Sequence, residues 1–380
     1  MKKLIILLIL IVISNSVARA GDATDYNKGI EAYEKKDYAT ALKLWSPLAE
    51  KGDVSAQSIL GLMYQDGKGV KQDYKKAEKW YLKAAEQGDI YAQSALGLMY
   101  QNGKGIKQDY KKAEKWYLKA AKQGDIYAQS GLGLMYQNGK GVKQDYKKAE
   151  KWYLKAAKQG DIYAQSTLGL MYQDGKGIKQ DYKKAEKWYL EAAEQGDIYA
   201  QSTLGLMYQD GKGVKHDIKE AMKWYLKAAE QGDIYAQFNL ALIFENGKNG
   251  VDQDYKEAMK YYRLAAEQGD AGAQFNLGFM YGKGEGALRD YKESVKWYLK
   301  AAEQGHAKAQ YNLGFMYVNG QGVKKDYSRA HMWLDLSVIN GEDLGNRALD
   351  LIVKEMTPVQ IAKAKNMAKE CKQKKYKNCY

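Results

Sequence analysis

Proline, cysteine and histidine are scarce in this 380-residue chain, with two, two and three copies. The near absence of proline leaves long stretches free to be helical. The cysteines, Cys371 and Cys379, both lie at the extreme C-terminus, which excludes a disulfide scaffold and a cysteine metal site in the body of the chain. His216, His306 and His331 are far apart and have no acidic or cysteine cluster beside them, so a metal centre is not expected. His216 stands where the related segments have a loop glutamine, and His306 where they have an aspartate; both read as surface substitutions. No S-x-x-K and no H-E-x-x-H occurs, which removes the usual serine nucleophile of penicillin-recognising enzymes and the zinc protease motif. The D-G-K-G turns lack both the Ser/Thr of a phosphate loop and the alternating carboxylates of a calcium loop. No cofactor is implied.

Long apolar runs are also missing, with one exception. Leu4 to Ile13 is apolar, follows Lys2 and Lys3, and is followed by Ala18-Arg19-Ala20. This is the pattern of a cleavable signal peptide over residues 1–20, too short to span a bilayer comfortably. No cysteine follows the run, so a lipoprotein anchor is not expected, and the chain is not read as an integral membrane protein. The location implied is periplasmic or secreted. The formal net charge is +14; Lys2, Lys3 and Arg19 belong to the leader, which leaves +11. Export argues against a nucleic-acid partner; the charge reads first as a solvated basic surface, and as a partner surface it suits anionic lipid, lipopolysaccharide or an acidic protein. In an oxidising compartment Cys371 and Cys379 would pair and pin the tail; in a reducing one they stay free thiols.

What is present is repetition. Gly52, Gly88, Gly124, Gly160, Gly196 and Gly232 are 36 residues apart; Gly269 follows after 37, and Gly305 and Gly341 after 36 each. The extra residue falls in the loop Asn246 to Asp254. A fixed period of this size marks a solenoid of stacked units. Each unit reads as two helices. After Gly88, Asp89 is an N-cap, and Ala92, Leu96, Met99 and Tyr100 share one helical face. Gly103 and Gly105 break the chain, Asp109 caps a second helix, and Ala113, Trp116, Tyr117, Ala120 and Ala121 form its buried stripe. Gly97, inside the first helix, costs about 1 kcal/mol against alanine, which predicts close approach of another helix. Thr24 to Lys51 reads as a shorter terminal pair. Thr357, Pro358 and Gln360 form a capping-box start for a final helix.

Gly88 to Ala121, "GDIYAQSALGLMYQNGKGIKQDYKKAEKWYLKAA", resembles the Sel-one-like repeat (SLR) family, a branch of the tetratricopeptide-type solenoids. The family pattern is G-D-x-x-A-Q-x-x-L-G-x-M-Y-x-x-G-x-G-V-x-x-D-Y-x-x-A-x-x-W-Y-x-x-A-A, and it recurs eight times over about residues 22–375. The resemblance implies an all-α right-handed superhelix of helix-turn-helix units. Residues 21–51 would form an N-terminal capping pair, 52–340 eight repeats, and 341–380 a C-terminal capping helix with the cysteine tail. It also implies a non-enzymatic adaptor for a protein or peptide. Some secreted relatives with cysteines in every repeat are linked to penicillin binding and β-lactam hydrolysis; this chain has none in its repeats, so an envelope hydrolase is the alternative and not the reading. A basic binder of anionic lipid or lipopolysaccharide is the third.

In related solenoids the first helices line a concave groove. The matching positions here are Tyr91, Ser94, Leu98 and Gln101, on the face opposite Ala92, Leu96 and Met99. Carried along the chain they give a ladder of Tyr91, Tyr127, Tyr163, Tyr199 and Tyr235 beside Leu98, Leu134, Leu170 and Leu206. Towards the C-terminus the serine becomes Phe238, Phe275 and Tyr311. The leucine becomes Leu242, Phe279 and Phe315, and the residue after the former serine becomes Asn239, Asn276 and Asn312. Aromatics and asparagines of this kind suit a peptide site. The competing reading packs the same aromatics between neighbouring first helices. On the second helix, Lys111, Lys115 and Lys119, and again Lys147, Lys151 and Lys155, form a basic outer stripe that Glu191 interrupts.

Overall fold

A computed structural model describes residues 20–247 and 250–379. Residues 1–19 of the expected leader, and two residues of the inserted loop, lie outside the described residues. Twenty α-helices and one short 3₁₀ turn are present, and no strand, among the described residues. They form two compact units, one ending at Gln195 and the other beginning at Gly196.

The first unit holds five helix pairs. They are Ala20–Glu34 with Tyr38–Glu50, Val54–Asp66 with Tyr74–Glu86, Ile90–Asn102 with Tyr110–Lys122, Ile126–Asn138 with Tyr146–Ala157, and Ile162–Asp174 with Tyr182–Glu194. The second unit holds four. They are Ile198–Asp210 with Ile218–Glu230, Ile234–Asn246 with Tyr255–Glu267, Ala271–Lys283 with Tyr291–Ala302, and Ala307–Asn319 with Tyr327–Ile339. A short helix, Leu344–Ile352, then precedes the final helix Pro358–Gln373.

The punctuation predicted from the sequence is what ends these helices. The Asp89 carboxylate accepts the Ala92 amide at 2.6 Å, and the Asp109 carboxylate accepts the Lys112 amide at 3.0 Å. Gly103 closes the first helix at φ 64, where its N–H reaches the Met99 carbonyl. The capping box of Thr357 and Gln360 is formed, with Pro358 in the first turn.

Packing follows the predicted stripes. Ala92, Leu96, Met99 and Tyr100 are buried, as are Ala113, Trp116, Tyr117, Ala120 and Ala121. Burial of one large apolar side chain is worth about 1.5–3 kcal/mol, so a lone helix pair gains little until its neighbours close over it. Gly97 has the close approach expected of it. A Cβ there would lie 2.4 Å from Cδ1 of Tyr117. Gly61, Gly133 and Gly169 meet the rings of Tyr81, Tyr153 and Tyr189 in the same way.

A chain of buried amides runs between the layers. Gln93 Nε2 donates to the Ala85 carbonyl of the preceding unit at 3.0 Å, and Gln93 Oε1 accepts from Gln123 Nε2 at 2.9 Å. The same two bonds recur at Gln57 and Gln129. In the second unit they recur at Gln237 and Gln274. Each amide is nearly solvent-free, and each is satisfied on both sides. The last rung uses Asn340, whose amide donates to Gln310 Oε1 and whose carbonyl accepts Tyr376 O–H. Tyr376 lies in the loop closed by the Cys371–Cys379 disulfide, so the tail completes the final rung.

Candidate functional site

The first helices set the geometry of the candidate face. Apolar residues on one side of Ile126–Asn138 and Ile162–Asp174 are fully buried, which leaves Tyr127 and Tyr163 on the other side. Tyr127, Tyr163, Tyr199 and Tyr235 are 47–59% exposed, and Leu98 is 52% exposed. Tyr91 is half-buried, stacks edge-on against Tyr81, and has its hydroxyl pushed up to about 12 by burial. Tyr163 and Tyr235 stand edge-on to Tyr153 and Tyr225. These two exposed rings are thus held by buried rings beneath them. Leu134, Leu170 and Leu206 are half-buried.

Ser94, expected on the open face, is engaged by the next unit. Its hydroxyl donates to the Asp125 carboxylate at 2.8 Å, and Ser58 does the same to Asp89. Ser130 bonds Asp161, and in the second unit Ser202 bonds Asp233 at 2.8 Å. One carboxylate therefore caps its own helix and receives the serine 31 residues earlier. Burial raises the pKa of Asp89 and Asp125, and the amide and hydroxyl bonds partly offset it. This bond was not anticipated. The signal was present: where the serine becomes Phe275, the residue 31 later becomes His306.

That pair changes the reading of His306. It is not a plain surface substitution. It is half-buried, its Nδ1 accepts the Ala309 amide at 3.2 Å in place of the usual aspartate, and its ring stacks on Phe275 at 4.8 Å. Burial lowers its pKa, and Lys308 adds to that. His331 is buried in the last helix pair, and His216 is exposed in a loop.

The C-terminal aromatics divide into two groups. Phe238 packs edge-on against Tyr262, Phe275 lies against Tyr298 and His306, and Tyr311 lies against Phe315. Phe238, Phe275 and Tyr311 are half-buried, the first two against rings of second helices, whereas Phe279 and Phe315 are 36% and 40% exposed. The asparagines are already engaged. Asn239 is buried and donates to the Tyr235 carbonyl at 2.8 Å, Asn276 faces the Tyr262 hydroxyl, and Asn312 donates to the Tyr298 hydroxyl at 2.9 Å. The open surface is therefore the tyrosines with Leu98 in the first unit, and Tyr199, Tyr235, Phe279 and Phe315 in the second.

Among the described residues no group of three or more His, Cys, Asp or Glu side chains could hold a metal ion. No helix there is long and apolar enough to cross a membrane.

Comparison with known proteins gives a consistent result. The Sel1 repeat matches residues 18–53, 54–89, 90–125, 126–161, 162–197, 198–233, 234–270, 271–306 and 307–341. The chain is similar to the crystal structure of a protective antigen of uropathogenic Escherichia coli strains displaying an SLR fold. That match has 32% identity over 94% of this chain and 85% of that one, with a TM-score of 0.60. It is also similar to a Sel1 repeat protein from Oxalobacter formigenes, with 32% identity over 90% of this chain and 99% of that one, and a TM-score of 0.63. No curated protein matches.

Proposed function

This chain belongs to the Sel1 repeat family, and from that premise we propose that it is an exported, non-enzymatic scaffold binding a protein or peptide along its first helices. The observation that carries the reading is the recurrence of half-exposed tyrosines every 36 residues, of which Tyr163 and Tyr235 are braced by a buried ring. Tyrosine gives a large contact area at small entropic cost, because two torsions fix it. Exposed Phe279 and Phe315 supply the apolar anchors at the C-terminal end. The signal-like leader, the disulfide in the tail and the description of a similar Escherichia coli protein as a protective antigen support export. The absence of serine-lysine and zinc-protease motifs from the sequence supports a binding role over an envelope hydrolase.

The test is a crosslinking pull-down from the native envelope, comparing the parent with Phe279→Ala/Phe315→Ala and Tyr127→Ala/Tyr163→Ala. Loss of a recovered partner with an unchanged melting temperature is the expected result. Recovery at parental levels by both double variants would refute the first-helix face as the binding surface.

A further inference from the structure

The positive charge of this protein gathers in two stretches: the C-terminal residues 353–380, with eight lysines against two glutamates, and the repeats before the middle of the chain. Residues 101–160 carry fourteen lysines against five acidic residues, a net +9 of the +11 that remains after the leader. Folding sorts the two kinds of charge. All fourteen lysines are exposed, and none of the five acids is. Asp109 and Asp145 cap second helices, and Asp125 caps a first helix while accepting the Ser94 hydroxyl. Glu114 and Glu150 accept the hydroxyls of Tyr136 and Tyr172. The carboxylates are spent on the fold, and the ammonium groups face solvent, with one loose ion pair between Lys148 and Asp145 at 3.8 Å.

The exposed lysines form rows. Lys111, Lys115 and Lys119 run along Tyr110–Lys122, and Lys147, Lys151 and Lys155 along Tyr146–Ala157, each about 6 Å of helix apart. Like charges at this spacing repel, so the rows are unfavourable to the free helices. The second unit keeps such rows, Lys219, Lys223 and Lys227 and again Lys292, Lys296 and Lys300, but sets an acid beside them. At the position of Lys112 and Lys148 it has Glu220, Glu257 and Glu293, which pair with Lys223, Lys260 and Lys296 at 2.8, 2.8 and 2.9 Å. The same scaffold therefore tolerates a partly neutralised row, and residues 101–160 lack that glutamate. Beneath the rows lie indole rings: Lys119 sits over Trp116 at 4.5 Å and Lys155 over Trp152 at 4.4 Å.

We propose that the second-helix face of residues 101–160 docks on a phosphate-bearing lipid surface. A small anion is a poor fit, because no lysine is withdrawn from water to enclose it. A spread of solvated ammonium groups on long apolar stems, with indole rings at their base, matches an array of headgroup phosphates above an apolar boundary. The surface is on the second helices and does not rest on the first-helix reading above.

The experiment uses the full mature chain and vesicles of phosphatidylcholine with or without one quarter phosphatidylglycerol, read by co-sedimentation at low and moderate salt. Binding is expected only to the anionic vesicles and should vanish as salt rises. Lys112→Glu with Lys148→Glu, which copies the second unit's arrangement, is expected to weaken vesicle binding about tenfold or more. Lys256→Glu with Lys292→Glu, an equal charge change in the second unit, should alter it less than about twofold. Equal losses from both variants would mean that net charge alone acts, and would overturn the assignment. So would retention by the first variant, or binding to soluble polyphosphate without binding to vesicles. Circular dichroism of both variants confirms that the helices remain.

Discussion

Gly97→Ala should destabilise the protein although it places a better helix former in a helix. The helical gain is about 1 kcal/mol. Against it, the new methyl carbon lies 2.4 Å from Tyr117 Cδ1, where ordinary contact begins at 3.4 Å. The ring must move about 1 Å, and it is buried with its hydroxyl bonded to Gln101 Oε1 at 2.9 Å. Overpacking of this kind costs about 1–3 kcal/mol. Loss of the tyrosine hydrogen bond adds about 1 kcal/mol. The net expectation is a loss of about 1–3 kcal/mol, localised to the helix pair Ile90–Asn102 and Tyr110–Lys122. Urea denaturation gives the total, and amide hydrogen exchange shows whether that pair opens first. An internal control exists: the equivalent position of the second unit's Ile234–Asn246 helix is Ala241, fully buried, in the repeat that carries the extra loop residue. That repeat has adapted to a methyl group, so Ala241→Gly should also destabilise, by about 1 kcal/mol of lost helical propensity. An unchanged or raised stability for Gly97→Ala would show that the ring yields freely and that close helix approach is not what the glycine secures.

Gln129→Leu should cost about 1–3 kcal/mol, because it removes the two bonds by which the glutamine joins the Ala121 carbonyl and the Gln159 amide at 3.2 and 2.8 Å; denaturation would show it, and a neutral outcome would count against the amide ladder. His306 should make the last repeats acid-sensitive. Its folded pKa is lowered, so its stabilising cap is fully present above the unfolded histidine range near 6.5 and is lost as pH falls through the folded value. Melting of the chain between pH 7 and pH 5 should show a loss of about 1 kcal/mol that His306→Asp, which restores the cap used elsewhere, removes.

Much of this protein is decided locally. The aspartate caps, the left-handed glycines and the two apolar stripes need only helical geometry and are visible in residues a few turns apart, and the 36-residue period repeats them along the chain. The pairing of Cys371 with Cys379 is equally local, at eight residues apart. Other features need a neighbour about 30 residues away. Whether Ser94 faces solvent or braces Asp125 depends on the next repeat, as does the role of Gln93, which joins two second helices. The aromatic substitutions separate for the same reason. Phe275 finds His306 across the junction and is half-buried, whereas Phe279, one helical turn on, finds no such partner ring and stays exposed. The charge pattern follows suit. Composition gives +11, but its separation into exposed lysines and consumed carboxylates is completed only when one repeat closes on the next, where Asp125 meets the Ser94 hydroxyl and Glu114 the Tyr136 hydroxyl.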